Sequence, residues 1–209
     1  MSLSITRVET PTSKYPIKCP YLMTPSCIVI HDTASDASAM SEISYMLSNS
    51  NQVSFHFAVD DERAVQGLPL DRNAWHAGDG VSGKGNRYGI AIETCYSKSG
   101  GTRYMQARQN VAKLTAILLK DYGWGIEQVK KHQDFSGKYC PHRNLDMGWS
   151  YFIEMVRQEL EELTKPKMLY GLVGQQYALP DKEKVLADAK ANNAANKHGL
   201  YWKAIEIPQ

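Results

Sequence analysis

Short apolar runs and longer amphipathic stretches follow one another from residue 27 to residue 163. Cys27-Ile-Val-Ile-His31 is rich in β-branched residues and has no polar break before its end. It predicts a buried strand that finishes at His31. Ser38 is placed to cap a helix in which Met40, Ile43, Met46 and Leu47 recur at helical spacing, and Asn49-Ser-Asn51 stops it. Residues 55–59 alternate, Asp60-Asp61 turns the chain, and residues 64–68 return as a hairpin partner. Residues 88–95 repeat the buried-strand pattern, with Glu93 near the end.

Further on, Val111, Leu114, Thr115, Leu118 and Tyr122 form one face of a helix over residues 102–122, stopped by Gly123 and Gly125. Residues 129–132 predict a short strand. Trp149, Phe152, Ile153, Val156, Leu160 and Leu163 mark a last amphipathic helix. The stretches 69–87 and 135–143 carry no periodicity and predict loops; a loop as long as 69–87 in a compact domain is usually functional or disordered. After a linker at 164–167, residues 168–173 and 200–207 read as strands around an Ala/Lys-rich helix at 181–196. This is a small β-α-β unit of about 40 residues, near the lower limit for independent folding.

Composition adds boundaries. The 209 residues are 43% hydrophobic and 22% charged, enough for a real core. No apolar run is long enough to span a membrane. The polar first 18 residues show no apolar segment of a secretion signal, so the expected place of synthesis is the cytoplasm. The net charge of +2 argues against nucleic acid as a partner. It is unevenly spread: −1 over residues 1–163 and +3 over 164–209. The four cysteines, Cys19, Cys27, Cys95 and Cys140, form no CxxC pair and predict no disulfide framework.

Three residues then suggest chemistry. His31 ends a strand, His132 follows another, and Cys140 lies eight residues later. Two imidazoles and a thiolate leave one position of a tetrahedral metal open, the pattern of a catalytic site. Taken singly, each has a plain alternative as a core imidazole or a small buried hydrophobe.

The segments Ile28-Val-Ile-His-Asp-Thr-Ala34, Asn73-Ala-Trp-His-Ala-Gly78 and His132-Gln-Asp-Phe-Ser-Gly-Lys-Tyr-Cys-Pro141 carry more weight together. In this order they closely resemble the zinc-dependent N-acetylmuramoyl-L-alanine amidases of the type 2 family. That family includes phage endolysins, bacterial autolysins and peptidoglycan recognition proteins. The likeness covers residues 23–163. Met23-Thr-Pro25 and Ser54-Phe-His-Phe-Ala-Val-Asp60 are most similar to enzymes of Gram-positive bacteria and their phages.

The resemblance implies an α/β fold, a mixed central sheet flanked by helices, for a catalytic domain over residues 1–163. It implies hydrolysis of the amide between N-acetylmuramic acid and the L-alanine of the stem peptide. His31, His132 and Cys140 match the zinc ligands, Glu93 the catalytic carboxylate and Lys138 the basic residue over the zinc. Where one branch of the family has a catalytic Tyr, this chain has Phe55, which places more of the proton transfer on Glu93. Trp75 and His76 are expected to line the cleft for peptidoglycan, with Trp75 as a core anchor the alternative. His56 is expected either at the cleft or as a satisfied core histidine. His142 is not expected to be a ligand, and His198 has no visible partner.

A non-catalytic peptidoglycan recognition module is the alternative function, disfavoured because a binder has no need to keep Glu93 beside Cys140. An intracellular redox or nucleic-acid regulator is disfavoured by the charge and the unpaired cysteines. An enzyme of this kind, made without a signal peptide, would act on the wall after release. The tail at 168–209 faintly resembles half of a SPOR-like wall-binding module, and its +3 charge suits anionic wall polymers. A lone β-α-β unit exposes edges, so the tail is expected to dock on the body or to pair with a second copy, and a homodimer through the tail is the hypothesis put to test. Light scattering at micromolar concentration tests this: a dimer is the expected mass, and a monomer counts against it.

Overall fold

The computed structural model describes residues 3–165, 169–172 and 204–207. The chain divides into two compact units, Met1–Leu163 and Thr164–Gln209.

In the first unit the elements run β1 (Ser4–Arg7), α1 (Tyr15–Lys18), β2 (Cys27–Asp32), α2 (Ala39–Ser48), β3 (Phe57–Val59) and β4 (Arg63–Gln66). There follow α3 (Lys84–Tyr88), β5 (Gly89–Thr94), α4 (Gly101–Tyr122), β6 (Val129–Lys131), α5 (Gln133–Ser136), α6 (His142–Asp146) and α7 (Trp149–Thr164). Six strands form one mixed sheet in the order β1-β4-β3-β5-β2-β6. The pairs β3/β5, β5/β2 and β2/β6 are parallel, and only the β3/β4 hairpin is antiparallel.

All six residues of β2 are buried, as expected for a central parallel strand covered on both faces. Ile28, Ile30, Ile90 and Ile92 turn to one face and pack under Leu114 and Leu118 of α4 and Phe152 and Val156 of α7. On the other face Ala58, Val65 and Ala91 pack against Ile43 and Met46 of α2. With a side-chain period of two, Val29, His31, Ala91 and Glu93 belong to this second face.

The local signals act as expected. The Ser38 hydroxyl accepts from the Ser41 N–H at the start of α2. Gly123 ends α4 in the left-handed conformation, φ 66°, which a Cβ would disfavour. The stretches expected as loops hold three short helices, α3, α5 and α6, each no more than five residues. So few residues cannot display a helical period.

Two differences are larger. The polar N-terminus is part of the body: β1 pairs in parallel with β4 as the sheet edge. Its residues are mostly exposed, so it lacks the apolar signature of a strand. In the second unit the two described strands, β7 (Leu169–Leu172) and β8 (Ala204–Ile207), pair antiparallel, with Leu169 opposite Ile207. A β-α-β unit in its usual form has parallel strands, and alternation of residue types does not encode strand direction. The helix expected at 181–196 lies outside the described residues, as does His198.

His56 resolves to the core. Its Nδ1 accepts from the Ala91 N–H at 3.0 Å, and Nε2 lies 2.9 Å from the Arg72 carbonyl. Burial holds its pKa down at about 4, against an ordinary value of 6.5. The unfolded chain therefore takes up a proton on acidification that the folded one refuses, and stability present above pH 6.5 is lost as pH falls towards 4. Between pH 7 and pH 5 this should remove about 2 kcal/mol. Urea denaturation at both pH values checks it: His56→Gln should show a smaller difference than the unsubstituted protein.

Candidate active site

Parallel strands bring their carboxyl ends to one side, and β5, β2 and β6 do so at the centre of this sheet. In that register His31 lies directly beside Glu93. The chain leaves β6 at His132, whose N–H donates to the Ile30 carbonyl at 3.3 Å. After the single turn of α5 the chain comes back, and the Cys140 carbonyl accepts from the Gln133 N–H at 3.0 Å. This places the Cys140 sulfur 3.9 Å from Nδ1 of His31. One donor atom from each of His31, His132 and Cys140 lies within 4.8 Å of the others, and all three residues are buried.

The donor chemistry fits a metal ion. Nδ1 of His132 is buried without a hydrogen-bond partner. Burial, then His76, His132 and Lys138, hold the His31 imidazole well below its ordinary pKa, so its lone pair is free to donate. Burial and then Lys138 lower His132 as well. The Cys140 thiol is pushed up to about 12, chiefly by burial and then by Glu93. A cation would reverse that preference and take the thiolate, releasing a proton.

His76 does more than line the cleft. It does reach the cleft, but its Nδ1 also lies 2.9 Å from Nε2 of His31. With Nδ1 of His31 turned to the ligand group, Nε2–H of His31 donates and Nδ1 of His76 accepts. That contact fixes the His31 tautomer and ring plane. His76 is in turn fixed by Asn86, whose Oδ1 accepts from the N–H groups of His76 and Ala77, both at 2.8 Å. Asp79 accepts from Gly85 and Asn86, so the glycine-rich loop is braced. A Cβ on Gly85 would come within 2.4 Å of that of Ala77 and 2.9 Å of the Phe135 ring.

Asp32 is a further residue that the sequence pattern does not single out. Its carboxylate accepts from the Arg143 N–H at 2.8 Å and the Tyr104 hydroxyl at 3.2 Å. It thereby ties the segment after Cys140 to the strand that carries His31. His142 lies 3.6 Å from the same carboxylate and 3.2 Å from the Ser97 carbonyl, outside the ligand group.

Two hollows flank the group. A cleft of about 570 Å³ is lined by Trp75, His76, His132 and Lys138. Trp75 meets both expectations: it borders this cleft, and it is mostly buried, edge-on to Tyr21 at 6.1 Å between ring centres. A smaller hollow of about 200 Å³ is lined by Glu93, Glu42, Tyr45 and Phe55. Oε2 of Glu93 is buried and unpartnered. Burial, then Asp32 and Glu42, push its carboxyl up to about 8. A carboxyl held up in this way can hold or release a proton near neutral pH, and a cation at the ligand group would bring it down again. Lys138 stands exposed at the cleft with its charge felt at His31, His132 and Glu93.

The His76 contact yields a measurable expectation. His76→Phe removes the acceptor for His31 and should weaken metal affinity about 10- to 100-fold, read by competition with a chromophoric chelator. Unchanged affinity would remove His76 from this role.

Comparison with known proteins agrees with this geometry. A sequence model of the N-acetylmuramoyl-L-alanine amidase family matches residues 21–143. N-acetylmuramoyl-L-alanine amidase CwlA of Bacillus subtilis (strain 168) is 52% identical over 164 residues, 78% of this chain and 60% of that protein. N-acetylmuramoyl-L-alanine amidase XlyB of the same organism is 53% identical over 161 residues, 77% of this chain and 51% of that protein. The chain thus spans little more than half the length of these relatives. The structure of PlyL superimposes with a TM-score of 0.70 at 50% identity, over 75% of this chain and 97% of that one. The catalytic domain of XlyA gives 0.67 at 36% identity, over 74% of this chain and 99% of that one. With 123 of its 209 residues inside the family match and the ligand group, Glu93 and Lys138 all within it, the chain belongs to the N-acetylmuramoyl-L-alanine amidase family.

Proposed function

We propose that the chain is a zinc-dependent peptidoglycan hydrolase that cleaves the amide between N-acetylmuramic acid and L-alanine. The observation that carries this is the convergence of His31, His132 and Cys140 beside Glu93, one of whose carboxylate oxygens, Oε2, is buried without a partner. His31, His132 and Cys140 would hold the ion. Zinc, when bound, polarises the carbonyl and lowers the pKa of water to about 7.

The chain's own residues supply the remainder. Glu93 accepts the proton of the attacking water and delivers it to the leaving amine of L-alanine. Its raised proton affinity suits both transfers. The ammonium of Lys138, exposed at the cleft, stabilises the oxyanion that forms at the carbonyl. Trp75 offers an aromatic face to the glycan. Phe55 borders the Glu93 hollow without a hydroxyl, so it takes no part in proton transfer. Among the described residues no helix is long and apolar enough to cross a membrane. We place the site of action at the cell wall of a Gram-positive host, as an endolysin.

Digestion of purified peptidoglycan tests the reading. New L-alanine amino termini should appear, vanish with a chelator and return with zinc. New reducing ends, or indifference to chelation, would overturn it, and binding without cleavage would mark a recognition module instead.

The side-chain roles separate in two variants. Glu93→Gln should keep its metal and lose about 100-fold or more in kcat. Lys138→Met should lose about 100- to 1000-fold, with metal content unchanged. Full activity in either would remove that residue from its role.

A further inference from the structure

One fully buried cation lies outside the ligand group and before the residues that match the family. Lys18, the last residue of α1, is fully buried. Its ammonium donates to Oδ1 of Asn49 at 2.9 Å, to the Val53 carbonyl at 3.2 Å and to the Asn51 carbonyl. An ammonium has three donors, and here each meets an acceptor from one five-residue segment. Lys14 adds contacts to the carbonyls of Ser48 at 3.2 Å and Asn49 at 3.1 Å.

That segment separates the two hollows. Asn49 and Asn51 border the small one with Glu93, Gln52 borders the wide cleft with His132, and Val53 borders both. Residues 49–53 lie outside helix and strand; Asn49 is tied to the end of α2, its N–H and Nδ2 donating to the Tyr45 carbonyl at 3.3 and 2.6 Å, and residues 50–53 have no such tie. Their internal support is the Asn49 Oδ1 contact to the Asn51 N–H at 2.9 Å. The next residue extends the same suture: the Ser54 hydroxyl donates to the Lys18 carbonyl at 2.6 Å and accepts from the Trp75 N–H at 2.9 Å.

A buried cation with only neutral partners is costly to keep, and removing it strands three acceptors. We propose that Lys18 is a positioning residue for the substrate cleft, whose ammonium fixes the 49–53 wall between the two hollows. The N-terminal segment is thereby part of the substrate site although it precedes the family match. The effect on substrate rests on the reading above that the cleft takes peptidoglycan.

Lys18→Met keeps the buried stem and deletes the donors. Lys18→Arg keeps the charge, but its planar fork cannot meet the three acceptors in the same geometry. In hydrogen exchange the amides of residues 51–54 should lose protection in both variants. On peptidoglycan KM should rise about five-fold in Lys18→Met and less in Lys18→Arg, with kcat changed less than about two-fold. Metal content should hold. Val156→Ala, which loosens the opposite face of the sheet, is the control for general destabilisation and should leave KM as it is.

An equal rise of KM in Val156→Ala, or an unchanged KM in both Lys18 variants, would overturn the proposal. If the unsubstituted protein cleaves no peptidoglycan, the proposed function fails separately. Exchange at 51–54 still decides Lys18 then, because retained protection in the variants overturns it and lost protection supports it.

Discussion

The parallel alignment of β2 between β5 and β6 is the constraint from which the site follows. It sets His31 beside Glu93 by register and delivers His132 at the adjacent strand end. A slip of one residue in β2 would send His31 to the face packed under α4 and α7 and bring Ile30 to the cleft. Register here is held by burial on both faces: Ile28, Ile30, Ile90 and Ile92 fill one side, Ala58 and Ala91 the other. The hydrophobic core therefore does positional work for the proposed chemistry, since His31, a candidate ligand, is one residue from a core isoleucine.

Strand register alone does not place a sulfur. Cys140 reaches the group through a segment that has no strand, and that segment is tethered at two points. Its carbonyl accepts from Gln133, and the next turn donates from Arg143 to Asp32. Asp32 is the neighbour of His31 on the same strand and points to the other face. One strand thus holds a candidate ligand with one residue and the anchor for the second candidate's loop with the next. The buried Asp32 carboxyl is raised chiefly by burial and lowered by the N–H of Arg143. Its hydrogen bonds offset part of the cost of its place there.

These tiers differ in how far the sequence displays them. His31, Glu93, His132, Cys140 and Lys138 stand in motifs at strand ends and in a short loop, where residue type and spacing carry the information. The strands themselves are apolar runs, legible because both faces are buried. The support is less visible. His76 reads as a cleft residue, and only three dimensions show it holding His31. Asp32 and Asn86 act through backbone N–H groups, which leave no pattern of residue types. β1 pairs by its backbone alone, so its polar side chains conceal it. Strand direction in the second unit is set by pairing, not by alternation.

The same reasoning explains why a lysine can be structural here. Lys18 is read from sequence as one more polar residue of a polar terminus, because the cost of burying an ammonium depends on acceptors 31 to 35 residues away. Those acceptors belong to a wall with no secondary structure, so they could not be satisfied by a strand or helix ladder. A mobile wall could expose them to water, whereas a fixed wall between two hollows needs an internal donor. Three carbonyl-type acceptors converging on one point fit an ammonium better than any neutral side chain. The edge strand β1 and the short helix α1 bring Lys18 to that point, which joins the least regular part of the cleft to the sheet that orders the proposed metal ligands.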